Sequence, residues 1–373
     1  MKFINIAAIA ILLQTAKITS AVESNETTAA LNATEETAAT TNATTADEGP
    51  AFAADAVDAT TAEEFTPIDG DFSTVDSIMI SPRCPSDSMA SYPYPVFTIQ
   101  PSAVAYVSSF PANLVTVAVS GNELQFEWND AVANGATSGG VQIGLPAGQF
   151  NKLHLGNSLK AQVLDGFTSV QRLEVNGFST LKATLTSNTN SALSVSAEGA
   201  STAHVVTSTT MSSVRSLGAS TLKVQAESVN AIQAGGASKL DIDGNVSGGG
   251  SVQGFSTLRI TGDMSGTLTN EGASTINANT VTGSITTSFP SGVTAASCDN
   301  VQGDFSCKVG DPPVVDVDVS QYEEISTGTW PWSTEVTCKS GNGGGFWSNS
   351  GSSTSSTIAA VAGATTLVAF LLV

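Results

Sequence analysis

Histidine and cationic side chains are scarce in this chain of 373 residues, which has 2 His and 13 Lys and Arg against 33 Asp and Glu. It contains no Gly-x-Ser-x-Gly nucleophile motif, no phosphate-binding loop and no Cys-x-x-Cys pair. These absences argue against the common hydrolase, nucleotide-binding and zinc classes. A net charge of −20 also makes nucleic acid an unexpected partner. We therefore expect a non-enzymatic protein with no cofactor.

A short phrase is repeated along the middle of the chain. Its copies are Gly177-Phe-Ser-Thr-Leu181, Gly199-Ala-Ser-Thr-Ala203, Gly218-Ala-Ser-Thr-Leu222, Gly236-Ala-Ser-Lys-Leu240, Gly254-Phe-Ser-Thr-Leu258 and Gly272-Ala-Ser-Thr-Ile276. They lie 22, 19, 18, 18 and 18 residues apart, and Gly156-Asn-Ser-Leu159 resembles a worn earlier copy. A short, nearly constant period is typical of stacked repeats.

Apolar and polar residues alternate within each copy. Counted from the Gly, positions +4 and +6 are apolar and position +5 is polar, as in Leu222-Lys-Val224. This alternation indicates a strand with one buried face. Apolar residues near +10 and +14 indicate two further short strands: Val229, Val246, Met264 and Val281, then Ile232, Val252, Leu268 and Ile285. The sequence predicts a right-handed parallel β-helix over residues 151–290, because parallel crossovers are overwhelmingly right-handed.

Two corner positions of the repeat predict specific backbone and side-chain roles. The Gly that begins each copy suits a corner where φ is positive or where backbones crowd. The Ser two residues later has the parity of the buried positions, which predicts an inward ladder of hydroxyls that bond to neighbouring coils. An exposed turn Ser is the alternative.

The repeats resemble a known family. The phrase Gly218-Ala-Ser-Thr-Leu-Lys-Val224, the lead-in Leu114-Val-Thr-Val-Ala-Val-Ser-Gly-Asn-Glu-Leu124 and Ile143-Gly-Leu-Pro146 resemble the auto-transporter adhesin head GIN domain. The resemblance covers about residues 94–304. That family is common in bacteria and is a domain of unknown function. The resemblance implies a β-helical rod and adhesion, and it supplies no catalytic residues.

The N-terminal segments predict secretion and a glycosylated stalk. Residues 1–21 have a charged start, an apolar core and small residues before Ala21, which is typical of a signal peptide. Residues 22–80 are rich in Thr and Ala, with 13 acidic residues and no Lys or Arg, so we expect a disordered acidic stalk. Sequons predict N-glycosylation at Asn25, Asn32 and Asn42 in the stalk and at Asn245 in the repeats.

The segments on either side of the repeats are expected to cover the open ends of the β-helix. Residues 81–150 include a predicted hairpin around Ser120-Gly-Asn122 and would form an N-terminal β cap. Residues 291–340 would form a C-terminal cap that contains Cys and Trp. The four cysteines, Cys84, Cys298, Cys307 and Cys338, predict two disulfides in a secreted protein. Of three pairings, we favour Cys298 with Cys307 and Cys84 with Cys338.

The C-terminal segment predicts a lipid anchor. Residues 358–373 are 16 almost unbroken apolar residues, and residues 341–357 before them are rich in Gly and Ser. This order is typical of a GPI signal whose tail is removed, with Ser348, Asn349 and Ser350 as attachment candidates. A single-span helix is the alternative, but the run is short and has no basic flank. We therefore expect an extracellular protein at the outer face of a eukaryotic plasma membrane.

Cationic residues are concentrated in the repeats. Eight of the 13 Lys and Arg lie between Lys152 and Arg259, a window with 6 acidic residues. If the outward positions stack, four of them form a basic column that could bind anionic glycans such as wall polysaccharide: Lys182, Lys223, Lys239 and Arg259. A merely solvated column is the alternative.

Three classes of function fit these features. The first is an adhesin-like or wall-structural surface protein that is not an enzyme. The second is a polysaccharide-active β-helix enzyme, which would need carboxylates clustered beside a groove. The third is an ice-binding protein, whose flat Thr array the outward charges would interrupt. The Asp241-Ile-Asp243-Gly-Asn245 segment resembles the start of a calcium loop but lacks the bidentate Glu, so no metal site is expected. We expect the first class, since a fold alone does not establish an activity.

Overall fold

The computed structural model describes residues 65–83, 95–129, 132, 139–288, 290–303 and 305–322. This part of the chain is all-β, and stacked parallel strands about 18 residues apart form a β-solenoid of about eight turns, as the repeats predict. In chain order the strands are β1 Thr66–Pro67, β2 Ser77–Arg83, β3 Val96–Pro101, β4 Tyr106–Phe110, β5 Val115–Ser120, β6 Glu123–Trp128, β7 Gly140–Leu145, β8 Lys152–Leu155, β9 Lys160–Val163, β10 Arg172–Val175, β11 Thr180–Leu185, β12 Ser194–Ala197, β13 Thr202–Thr207, β14 Ser213–Gly218, β15 Thr221–Gly236, β16 Lys239–Val252, β17 Thr257–Met264, β18 Thr267–Asn270, β19 Thr275–Val281, β20 Ser284–Thr287, β21 Gly292–Ala295, β22 Val301–Gly303 and β23 Ser306–Val309.

The coils are joined by two long parallel ladders. The front sheet runs in the order β7, β3, β9, β11, β13, the first halves of β15, β16, β17 and β19, then β21 and β23. The back sheet runs β6, β2, β8, β10, β12, β14, the second halves of β15 and β16, then β18, β20 and β22. A third, short ladder joins Val229, Val246, Met264 and Val281.

The interior of the solenoid is formed by the predicted apolar columns. Leu222 and Val224 are fully buried, and the equivalent residues of the other copies are buried with them. Burying each side chain of this size stabilises the fold by about 1.5–3 kcal/mol. One predicted alignment is wrong, because Val252 pairs with Ala234 and not with Ile232. Gly250 lies beside Ile232 instead, where a Cβ would overlap the Ile232 carbonyl.

The corner of each coil confirms both predicted roles. Gly236 has a φ of 82°, and a Cβ there would lie 2.6 Å from the carbonyl oxygen of Gly218 in the preceding coil. The Gly of every copy from Gly199 onwards is crowded in the same way, with 2.5–2.9 Å from an added Cβ to the preceding coil, whereas Gly177 has a positive φ of 73° but more room. The corner Ser forms the inward ladder: Ser220 is buried, and its hydroxyl donates to the Ala197 carbonyl at 2.9 Å.

The N-terminal boundary of the predicted domains is wrong. Residues 65–80, assigned to the disordered stalk, contain β1 and the start of β2, and Ile78 and Ile80 are fully buried. Strands β2 and β3 form a coil that inserts between the later strands β6 and β7 on one side and β8 and β9 on the other. Residues 81–150 are therefore partly solenoid and not only a cap, a placement that long-range pairing decides.

Antiparallel strands cover the N-terminal end of the ladders. Strand β4 pairs with β7 and β1 with β4, while β5 and β6 form the predicted hairpin. At the other end, β21, β22 and β23 extend the coils to Val309, past the predicted limit at residue 290. The Cys298–Cys307 disulfide is present there, as predicted. Residues 291–322 are thus not simply a terminal cap, and Cys84 and Cys338 lie outside the described residues.

Candidate functional site

Outward side chains of the front sheet form a column along the solenoid, with one residue from each coil. Parallel pairing places Lys182 beside His204 and His204 beside Lys223. Asp241 and Arg259 follow on the next two coils. Neighbouring strands lie about 4.8 Å apart, so the positions of Lys182, His204 and Lys223 span about 10 Å along the solenoid.

A C-terminal segment lies along this column. After β23 the chain returns over the front sheet as residues 311–322, which we call the strap. Its exposure alternates: Pro313, Val315, Val317 and Val319 are partly buried, whereas Val314, Asp316, Asp318 and Ser320 are exposed. This period of two indicates an extended chain with one side towards the sheet. No strand pairing joins residues 311–322 to the described coils.

Lys182 is the main anchor of the strap. Its Nζ donates to the Asp318 carboxylate at 2.8 Å and to both the carbonyl and the hydroxyl of Ser320 at 3.0 Å. Hydrogen bonds between charged partners are about twice as strong as neutral ones. The Lys182 side chain is only 14% exposed, so the strap removes most of it from solvent. The Ser320 hydroxyl and amide both donate to Asp318, which holds the carboxylate in place.

Three further polar contacts continue on the coils to either side. Lys223 Nζ donates to the Asp316 carbonyl at 2.9 Å. His204 Nδ1 donates to the Asp318 carbonyl at 2.8 Å. On the far side of Lys182, the amide of Tyr322 donates to Gln162 Oε1 at 2.8 Å. The strap therefore advances by two residues for each coil that it crosses. It runs from the later coils towards the earlier ones.

The aromatic ring of Tyr322 lies close to two ammonium groups at the end of the strap. Its centroid is 4.8 Å from Lys182 Nζ and 5.6 Å from Lys160 Nζ, within the range of cation–π attraction. Burial raises the pKa of the Tyr322 hydroxyl, and the Asp318 charge raises it further. The ring therefore stays neutral over the physiological pH range.

The electrostatics of the column depend on the strap. Hydrogen bonds from Lys182 and Ser320 hold the pKa of Asp318 well below its usual range. Burial lowers the pKa of Lys160, and the nearby charge of Lys182 lowers it further. Burial also lowers the pKa of His204, with smaller contributions from the charges of Lys223 and Lys182, against the raising effect of Asp318.

The other two predicted glycan-binding residues converge on one acidic side chain. Lys239 Nζ lies 3.1 Å from Asp241 Oδ2, and Arg259 Nε lies 3.6 Å from Oδ1. Asp241 is only 2% exposed, and a buried charge is costly unless it is paired. Lys239 and Arg259 provide that pairing. All four predicted residues lie on the front sheet, but they do not form one basic column, because Lys239 pairs with Thr221 and Thr257 and Asp241 stands between Lys223 and Arg259. Each has an acidic or carbonyl partner from this chain, and glycan binding stays a prediction.

The back sheet carries a second charged cluster around Glu174. Its carboxylate lies 2.6 Å from Arg172 Nε, 3.2 Å from His154 Nδ1 and 3.7 Å from Lys152 Nζ. Burial would raise the pKa of Glu174, but the His154 hydrogen bond and the cationic charges lower it on balance. The neighbouring Ser196 hydroxyl donates to Glu198 and not to His154. The cluster therefore lacks the geometry of a serine nucleophile with its base.

The candidate calcium segment is used for contacts between coils. Asp243 accepts a hydrogen bond from Thr261 at 2.7 Å, and Asn245 Oδ1 accepts from the Asp263 amide at 2.9 Å. Among the described residues, no group of three or more His, Cys, Asp or Glu is placed to hold a metal ion. Asn245 is exposed within β16, and its glycosylation stays a prediction.

Other predicted sites lie outside the described residues. They are the glycosylation sites Asn25, Asn32 and Asn42 and the attachment candidates Ser348, Asn349 and Ser350. The predicted signal peptide and the apolar tail also lie there. In the part of the chain that the structure describes, no helix has the length and apolar character needed to cross a membrane.

The residues of the coils that hold the strap, which we call its seat, are Lys160, Gln162, Lys182, His204 and Lys223. The sequence patterns did not identify the strap or two of these seat residues. Gln162 and Lys160 belong to a coil that precedes the clear repeats, and Tyr322 lies far from them in the chain. The available signal was the alternation Val315-Asp-Val-Asp-Val319, which is typical of an extended segment with one apolar side. Nothing in it indicates which surface that side covers.

No protein-family model matches this chain, and no curated protein sequence matches it significantly.

Proposed function

We propose that this protein is a non-enzymatic, extracellular rod that serves adhesion or wall structure and binds anionic glycans through the front-sheet column. The proposal includes secretion, a glycosylated stalk and a GPI anchor, which rest on the terminal sequences. The resemblance of the repeats to an adhesin head domain agrees with it.

One observation carries the binding part of the proposal: the column already holds an acidic extended chain. Lys182 binds a carboxylate, and Lys223 and His204 bind carbonyl oxygens on successive coils. An anionic polysaccharide offers the same two kinds of acceptor, namely carboxylate or sulfate groups and neutral oxygens. A rigid ladder with a regular rise therefore suits a polymer better than a compact small molecule.

A non-enzymatic role is supported by the state of the acidic residues on the described coils. Glycoside hydrolysis needs two carboxyl groups placed across a scissile bond. Here Asp241 is compensated by Lys239 and Arg259, Asp243 is bonded to Thr261, and Glu174 is surrounded by three cationic or His side chains. These three carboxylates already take part in contacts within the chain.

The test is binding of the full-length protein to immobilised carboxylated and sulfated polysaccharides, with a neutral polysaccharide as reference. We expect binding at low salt that declines as ionic strength rises, because charges are screened over about 8–10 Å near physiological salt. Lys182→Ala with Lys223→Ala should remove it. Lys152→Ala with Arg215→Ala deletes the same charge from the back sheet and should not. Absence of binding to every anionic polymer, or equal loss in both double variants, would refute the proposal.

A further inference from the structure

The seat of the strap extends beyond the charges that the repeats display. It covers four consecutive coils, represented by Lys223, His204, Lys182 and Gln162. Lys160, on the same strand as Gln162, adds its ammonium group beside the Tyr322 ring. The seat therefore combines ammonium groups, an imidazole and an amide along one line.

The strap is held by side chains of the rod and not by a β-ladder. The contacts that hold it come from five side chains, and the strap contributes carbonyls, one amide, a carboxylate, a hydroxyl and a ring. Exposed polar contacts of this kind are worth little individually and weaken with salt. The strap can therefore leave without breaking any strand pairing of the solenoid.

Packing beneath the strap is incomplete. A cleft of about 130 Å³ lies between the strap and the sheet, and its lining residues include Gln162, Asp165, Lys182, Val319 and Gln321. The valines on the inner side of the strap are only partly buried. Protein interiors are close-packed, so this contact resembles a bound ligand on a surface more than part of a core.

We infer that the strap is a built-in occupant of an anion-binding groove that runs from Lys223 to Lys160, and that an external anionic chain binds there after the strap leaves. The inference rests on the proposed function and adds Lys160, Gln162 and His204 to its binding site. While the strap is seated, Asp318 and the strap carbonyls satisfy the groups that an external chain would use. The apparent affinity for that chain is the intrinsic affinity multiplied by the fraction of molecules whose groove is free.

The experiment compares three full-length proteins: wild type, Asp318→Ala with Tyr322→Ala, and Asp311→Ala. The double variant removes the carboxylate and the ring that hold the strap. Asp311→Ala removes the same charge from a strap residue with no polar contact in the described structure, so it is the matched control. Two probes are used, a carboxylated polysaccharide and a labelled synthetic peptide of residues 313–322.

We expect the double variant to bind both probes at least about tenfold more tightly than wild type and Asp311→Ala, as for a groove that is about 90% occupied. Adding Lys182→Glu to the double variant should abolish both gains. Equal polysaccharide binding by wild type and the double variant would refute the inference and leave the proposed function standing. Peptide binding without polysaccharide binding would support the groove and refute the glycan. Binding of neither probe to the double variant would refute both.

Discussion

Lys182 and Asp318 form an ion pair at 2.8 Å although 136 residues separate them in the chain. One lies in a coil near the start of the repeats, and the other follows the last strand. The pair joins the strap to the front-sheet column. Lys182 has a position that the repeats predict, whereas Asp318 lies in a segment outside the repeats.

The first prediction concerns the inward and outward columns. Leu222→Asp should destabilise the fold by more than about 4 kcal/mol, because it buries an unpaired charge in the stack. Ile260→Asp should do the same. Lys223→Asp, one residue from Leu222 but outward, should cost much less, about 1 kcal/mol, because it removes an exposed hydrogen bond to the Asp316 carbonyl and adds a carboxylate beside Asp241. Thermal melts followed by circular dichroism would check this ranking, and the reverse ranking would contradict the assignment of the two faces.

The second prediction separates backbone crowding from backbone conformation at glycine. Gly121→Ala should cost about 1 kcal/mol, because Gly121 has a φ of 66° but no atom within 4 Å of the added Cβ. Gly236→Ala should cost clearly more, because its φ is 82° and the Cβ would lie 2.6 Å from the Gly218 carbonyl oxygen. Denaturant unfolding would measure both changes. Equal costs would show that the corner tolerates a shift between coils.

The third prediction concerns pH and His204. Burial, to which the strap contributes, lowers the pKa of His204 by more than the Asp318 carbonyl and charge raise it, so we expect the docked state to favour the neutral ring. A group whose pKa is lowered in the docked state contributes its full stabilisation above its ordinary pKa and loses it as pH falls. Docking should therefore weaken as pH falls below about 6.5. It should weaken again below about 4, because Asp318 of a released strap accepts a proton near its ordinary pKa, whereas the pKa of docked Asp318 is lowered.

Proton NMR can follow this directly, because the chain has only 2 His. The pKa of His204 should rise in the Asp318→Ala, Tyr322→Ala protein, because the loss of burial, which is the largest effect, should outweigh the loss of the raising effect of Asp318. His154, on the back sheet, serves as the internal reference. A His204 pKa that does not rise would contradict the prediction, because burial by the strap would then not exceed the effect of Asp318.

The fourth prediction concerns the anchor, which lies outside the described residues. A phospholipase specific for inositol lipids should release the protein from the surface of its cells, because a GPI signal is replaced by the lipid. A protein with a membrane-spanning helix on the same cells is the control and should stay. Retention of the whole protein, with Val373 still present by mass spectrometry, would favour the helical alternative.

Much of the solenoid could be predicted because its information is local and repeated. The alternation around Leu222 and Val224 indicates which face is buried, and the recurring Gly and Ser indicate a crowded corner. Each coil stacks on one with nearly the same sequence, so a pattern that is weak in one copy is confirmed by its neighbours. Where the period was irregular the prediction was weaker, as with Val252, which the structure moves to the column of Ala234.

Tertiary structure alone decided the features that join distant segments. The coil of β2 and β3 inserts between coils that follow it in the chain, and its short apolar run around Ile78 has no repeat to mark its register. The seat of the strap depends on pairs separated by 93 to 160 residues, such as Lys223 with Asp316 and Gln162 with Tyr322. Alternation in the strap determined that it is extended and one-sided. Which surface it covers depends on the rod beneath it, because the charged and apolar side chains of that surface come together only after the coils have stacked.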